Sequence, residues 1–382
     1  MDKPMKYFYA FSHYRPEDEV LNNTQEYLKK NGERIESIIL EQLEHNLDDA
    51  KCIGMITDEM IKRYMSFTKG GKRLRGNFVR LGFLAYGGED ETIALRVGSV
   101  MEMIHACLLI HDDIMDQDPL RRNRPTMHEQ FREFFIESID GGAPEDEARH
   151  FGESMAINTG DMGVFIAFEM LCDAGLQPPH LVAGIRRLSN FLKNTAYGQA
   201  LDIFHKDIDK VKEQDILDIY HYKTSQYTIT GPMQLGALLA GAEEQSVGPI
   251  EVYGKPAGIA FQLRDDLLGL FGKTDEFGKP IGSDLREGKM TLPVLKAYEL
   301  GDESQRGEIK DILGEPVETM GNDHVERVCE ILKQTGAIAY CDELAKGCVE
   351  EAVAAIPAIV EPDSDIGLKL RDIAEYLITR TI

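Results

Sequence analysis

Val100-Met101-Glu102-Met103-Ile104-His105-Ala106-Cys107-Leu108-Leu109-Ile110-His111-Asp112-Asp113-Ile114-Met115-Asp116 is the stretch on which the fold turns. From Val100 to Ile110 it is mostly apolar, which describes a helix enclosed by protein. It then ends in aspartates. Asp112 and Asp116 stand four apart, so on a helix they share a face, with Cβ atoms roughly 5–6 Å apart. Carboxylates at the end of a buried helix are costly unless something offsets their charge. A bound cation does so, and oxygen ligands suit Mg²⁺, which keeps some waters and takes substrate phosphate oxygens for the rest. A single DDxxD in an acidic chain can also be a solvated helix end, so a second signal is needed.

That signal comes about 150 residues on. Phe261-Gln262-Leu263-Arg264-Asp265-Asp266-Leu267-Leu268 is again an apolar helical run ending in paired aspartates. Two such helices can face each other across a pocket, with metal ions clamping a diphosphate between them. Three- and four-residue apolar spacing also predicts helices over 92–116, 155–174, 181–204, 214–241 and 251–270. Breaks are expected at Gly87-Gly88, Gly141-Gly142-Ala143-Pro144, Gln177-Pro178-Pro179 and from Gly272 onward. Strand-like alternation is scarce and no repeat is visible. The chain therefore reads as all-α, with residues 1–20 as an extension and 21–382 as one domain. Residues 138–150 read as an acidic loop, and 357–366 as the lead into a last helix ending near Arg380. The segment 272–293, with Lys273, Lys279, Arg286 and Lys289, reads as a basic lid.

The net charge is −24, from 66 acidic and 42 basic residues. Such a surface repels nucleic acid and anionic lipid. Basic clusters go against that background, and two exist: Lys69, Lys72, Arg73, Arg75, Arg80, and Arg121, Arg122, Arg124. Gly70-Gly71 before the first cluster suggests a helix start, where backbone N–H groups favour anions. Two phosphate sites are implied, one metal-clamped and one held by Lys and Arg directly. The six cysteines, Cys52, Cys107, Cys172, Cys329, Cys341 and Cys348, form no CxxC pair, which fits reduced thiols in the cytoplasm. No run approaches eighteen uninterrupted apolar residues, so no transmembrane segment is expected.

With these motifs in this order, the sequence resembles the trans-type isoprenyl diphosphate synthases, the farnesyl and geranylgeranyl diphosphate synthase family. The resemblance spans roughly residues 30–382. It rests on Gly70-Gly71-Lys72-Arg73, the aspartates at 112–116, Arg121-Arg122, Lys223-Thr224, Phe261-Gln262 with Asp265-Asp266, Gly278-Lys279-Pro280 and Gly288-Lys289. It implies a helical bundle with a deep central cavity, usually a homodimer, acting as a Mg²⁺-dependent prenyltransferase with three ions per site. By position, Asp112, Asp116 and Asp265 would be metal ligands, with Asp113 and Asp266 in support. Arg121, Lys223 and Lys279 would bind the allylic diphosphate, with Gln262 and Lys289 among the substrate contacts. Lys72, Arg75, His105 and Arg122 would bind isopentenyl diphosphate. The second cluster departs from DDxxD, with Gly269 in the last position.

The resemblance further implies ionisation of an allylic diphosphate, with Thr224, Gln262 and the Lys223 carbonyl facing the cation. Attack by isopentenyl diphosphate and proton loss then give a linear all-trans prenyl diphosphate. Its length should depend on residues below Asp112. Leu108, Ile104 and Met101 lie about 6, 12 and 16 Å down the helix. Cys107 is small where short-chain relatives often carry an aromatic floor. C20 or somewhat longer is therefore the expected product. A terpene cyclase or head-to-head synthase of the same fold would not need Lys72, Arg75 and His105. A regulatory subunit of a heteromeric synthase would be expected to lose the aspartates.

Overall fold

The computed structural model describes residues 17–139, 142–272, 282–313 and 321–379. Lys279 and most of residues 1–20 lie outside them, as does part of the expected lid. Helices α1 (Glu17–Ile53), α2 (Met55–Thr68), α3 (Leu74–Ala85) and α4 (Glu91–Met115) open the chain. A short antiparallel hairpin follows, Leu120–Arg121 with Arg124–Pro125. Then come α5 (Met127–Ser138), α6 (Glu145–Cys172), α7 (Pro178–Phe204) and α8 (Glu213–Ile219). A π-helical segment, Tyr220–Thr230, leads into α9 (Gly231–Leu239) and α10 (Gly248–Phe271). The rest is α11 (Leu292–Leu300), α12 (Glu303–Leu313), α13 (Asn322–Thr335), α14 (Ala337–Ala355) and α15 (Asp365–Thr379). The all-α reading holds.

α4 is the central element. Asp90 caps it, its carboxylate accepting from the Thr92 N–H at 2.9 Å. It ends where Gln117 takes a left-handed φ of 57°. Between these ends α4 packs on α3 and α6, with Met101, Met103, Ile104 and Ile110 fully buried. α10 lies between the π segment and α14, in a second apolar core.

α4 and α6 are both long and apolar enough to cross a membrane by length and composition. Within the protein, 72% of the apolar window of α4 is buried, so its apolarity is that of a core helix. Only 44% of the α6 window is buried, and Phe165 remains 69% exposed.

Two expectations need correction. The acidic loop at 138–150 stops at Pro144: Glu145, Asp146 and Glu147 form the first turn of α6, where negative side chains favour the positive end of the helix. The helix expected over 214–241 is divided in three by the π segment. Pro232, with no N–H to give an α-helical ladder, sits in the first turn of α9 just after it.

Candidate active site

Asp112 and Asp116 keep the predicted spacing, with the Asp116 N–H bonded to the Asp112 carbonyl at 2.8 Å. Each carboxylate meets a lysine from elsewhere in the chain. Lys223 Nζ, from the π segment, lies 3.7 Å from Asp112 and 2.6 Å from Asp202 of α7. Lys289 Nζ lies 2.5 Å from Asp116 and 2.6 Å from Glu287. Gln199 Nε2 donates to Asp112 at 3.0 Å. Burial pushes the Asp116 carboxyl above its usual range, and the Asp112 charge adds to that. Burial works against the Lys223 charge, but Asp112 and Asp202 overcome it and hold the ammonium protonated. Lys289 is held charged in the same way by Asp284, Glu287 and Asp116.

Oxygens of Asp116, Asp118 and Glu287 lie within 4.8 Å of one another. An all-oxygen set of carboxylates, with ammonium groups as the nearby counter-charge, fits Mg²⁺. Asp113 has a different place. It is fully buried and takes the Arg121 guanidinium through Nε at 2.6 Å and Nη2 at 2.5 Å. Asp113 thus anchors the hairpin to α4.

The second aspartate pair closes a hydrogen-bonded chain onto the π segment. Thr224 donates to Gln262 Oε1 at 2.7 Å, and Gln262 donates to Asp266 Oδ1 at 2.8 Å. Tyr220 donates to the other oxygen of Asp266 and accepts from the Leu292 N–H at 2.9 Å. Burial pushes the Asp266 carboxyl well above its usual range, against the pull of the Tyr220 and Gln262 hydrogen bonds. Asp265, beside it, is half-buried. Tyr220→Phe is expected to lower stability by about 1–3 kcal/mol, because Asp266 and the Leu292 N–H lose a buried partner. Denaturant unfolding checks this, and an unchanged midpoint would show that the chain bears no load.

The cationic side converges on Tyr227. Arg75 stacks 4.3 Å over its ring and donates to Thr228 at 3.0 Å, while His105 Nδ1 lies 3.1 Å from its hydroxyl. Burial pushes His105 well below the usual imidazole range, and Arg75, Arg121, Arg122 and Arg73 add to that. Its ring is therefore neutral and surrounded by cations. Lys72 lies 5.5 Å over the Tyr376 ring of α15. Arg122 donates to the Lys69 carbonyl at 3.0 Å and lies against Gly71, where a Cβ would stand 2.8 Å from Nη2. Gly71 has a φ of +94°, which is what requires glycine there, since the Arg122 tip could move aside.

The first basic cluster is not one surface. Arg73 is buried, 2.9 Å from Glu36 and 3.9 Å from Glu102. Arg80 pairs with Glu91 at 2.7 Å. Both are structural, which leaves Lys69, Lys72 and Arg75 of that cluster for a phosphate role. Of the expected length-setting residues, Met101, Ile104 and Cys107 are buried and Leu108 is half-buried.

The profile of the polyprenyl synthetase family matches residues 57–332. The chain belongs to that family. The chain is thus a prenyltransferase, and relatives agree across most of it. It is 32% identical over 319 residues to the geranylgeranyl diphosphate synthase of Sulfolobus acidocaldarius, covering 83% of this chain and 89% of that one. To the geranylfarnesyl diphosphate synthase of Aeropyrum pernix it is 31% identical, covering 85% and 99%. In structure it resembles the geranylgeranyl pyrophosphate synthase of Corynebacterium glutamicum, solved with isoprenyl diphosphate and magnesium. The TM-score is 0.85 at 30% identity, with 93% and 99% covered.

Five polar residues of the site carried no assignment from the sequence: Gln199, Asp202, Tyr227, Asp118 and Glu287. Gln199 and Asp202 had a legible signal, since they stand three apart on an otherwise apolar helical stretch. Tyr227 had none, because its place depends on the π segment.

Proposed function

We propose that this enzyme condenses isopentenyl diphosphate with an allylic diphosphate and releases a linear all-trans prenyl diphosphate of C20 or somewhat longer. The observation that carries the reading is the division of charge around α4. On one side Asp112 and Asp116 meet Lys223 and Lys289. On the other, Arg75 and neutral His105 share Tyr227. The first half suits a diphosphate bridged through metal, the second a diphosphate held directly by cations.

Asp112, Asp116 and Asp265 would hold three Mg²⁺ ions, and Asp118 and Glu287 lie beside Asp116. The metal supplies neutralisation of charge on the departing diphosphate. Lys223, Lys289, Arg121 and Lys279 bind that same group. The allylic C–O bond breaks with its electron pair leaving on the diphosphate. Thr224 and Gln262 turn their dipoles to the resulting cation, and the buried flank of α4 keeps water away. Lys72, Arg75, His105 and Arg122 orient isopentenyl diphosphate. Its double bond supplies the electrons of the new C–C bond, and the proton lost goes to the released diphosphate.

Product length is supported by relatives named for geranylgeranyl and geranylfarnesyl products. Exposed Ile157 and Phe165 on α6 support pairing of two copies. Free cysteines support a reducing cytoplasm.

The test incubates purified protein and Mg²⁺ with labelled isopentenyl diphosphate and C5, C10, C15 or C20 allylic diphosphates, resolving products by length. Labelled C20 or longer products that vanish without Mg²⁺ are expected. Folded protein that elongates no starter would refute the reading and favour the cyclase or subunit alternatives.

A further inference from the structure

Cys107 and His111 stand one turn apart on α4, on a flank that the prenyl-transfer reading does not use for metal. Cys107 lies about 140° round the helix from Asp112. Its Sγ is 3.9 Å from His111 Nδ1, and His111 Nε2 is 3.6 Å from Asp161 Oδ1 on α6. One ligand atom from each of the three falls within 4.8 Å of the others. The gap they share exists because α6 carries Gly160 there. A Cβ at that position would stand 2.7 Å from His111 Nε2 and 3.3 Å from Cys107 Sγ. Cys107 is buried, while the Asp161 side chain is 57% exposed in the single chain, between Ile157 and Phe165 on the α6 face that pairing of two copies would cover.

The chemistry of this set differs from that of the aspartates. Thiolate and imidazole are poor ligands for Mg²⁺, which takes oxygen. With one carboxylate they make a familiar donor set for Zn²⁺, with bonds of about 2.0–2.3 Å. Asp161 already faces Nε2, whereas the thiol, now beside Nδ1, must turn towards Nε2 to share the ion.

We propose that Cys107, His111 and Asp161 bind a thiophilic divalent ion, Zn²⁺ by preference, with water as the fourth ligand. The ion ties α4 to α6 within one turn of Asp112. Without metal, burial pushes the Cys107 thiol up to about 12, so it lies as a neutral thiol against the imidazole. On binding, the thiol proton passes to solvent and the thiolate coordinates. Binding through Nε2 replaces the present contact of that nitrogen with the Ile157 carbonyl at 3.4 Å.

The experiment titrates Co²⁺ into chelator-stripped full-length protein held in excess Mg²⁺, which occupies the oxygen sites. A sulfur-to-cobalt charge-transfer band saturating at one equivalent and displaced by Zn²⁺ is expected. It should vanish in Cys107→Ser and persist in Cys172→Ser, whose cysteine is exposed. Asp161→Ala lies outside the core and, with oligomeric state checked by size-exclusion, should weaken Co²⁺ affinity at least about 10-fold. No band in the parent protein would overturn the proposal. So would a band that is untouched by Asp161→Ala or lost in Cys172→Ser.

Discussion

Asp112→Ala is expected to lower turnover on the order of 10²–10³-fold while leaving the fold intact. Asp112 is half-buried at the end of a helix whose core lies further down, so its loss opens no cavity. It does remove the acceptor of Gln199 and one of the two carboxylates that hold Lys223. Lys223 then rests on Asp202 alone, displaced from a departing diphosphate. A Mg²⁺ ligand disappears at the same time, so activity should require more Mg²⁺. Steady-state kinetics across a Mg²⁺ series, with circular dichroism as the fold control, checks both effects. Parental turnover at low Mg²⁺ would remove Asp112 from the site.

Gly198→Ala should strike the same site from behind. A Cβ on Gly198 would lie 2.4 Å from the Lys223 nitrogen and 2.8 Å from its Cα. The obstacle is backbone, so no rotamer change relieves it. α7 must move away from the π segment, carrying Gln199 and Asp202 with it. Overpacking of this kind costs about 1–3 kcal/mol. A displacement near 1 Å at a positioning residue can lower turnover about 10²-fold. Urea unfolding and turnover at saturating substrate test the two together. Losses in both are expected, and a variant matching the parent in both would show that α7 and the π segment do not pack this closely.

α4 was legible almost to the residue, because an apolar run and a four-residue carboxylate spacing are both local features. The π segment was not. Its residues carry an ordinary helical pattern, and what marks it out, the close crossing of Gly198 over the Lys223 backbone, is a tertiary contact. The basic cluster at 69–80 shows the same limit. Arg73 and Arg75 are two residues apart, yet one is buried against Glu36 and Glu102 while the other stacks on Tyr227.

By itself, the sequence determined the all-α class, the two aspartate-bearing helices, the order of the motifs and hence the family. These follow from periodicity and from spacing along one helix, which are set within a few residues. Only the tertiary structure decided which cations sit on which carboxylates, why Asp113 and Arg73 are structural, and where Asp118, Glu287 and Tyr227 enter. The same holds for the meeting of Cys107 and His111 with Asp161. Each of these depends on how closely two distant helices approach, and that distance is set by packing and by glycines whose importance no local pattern displays.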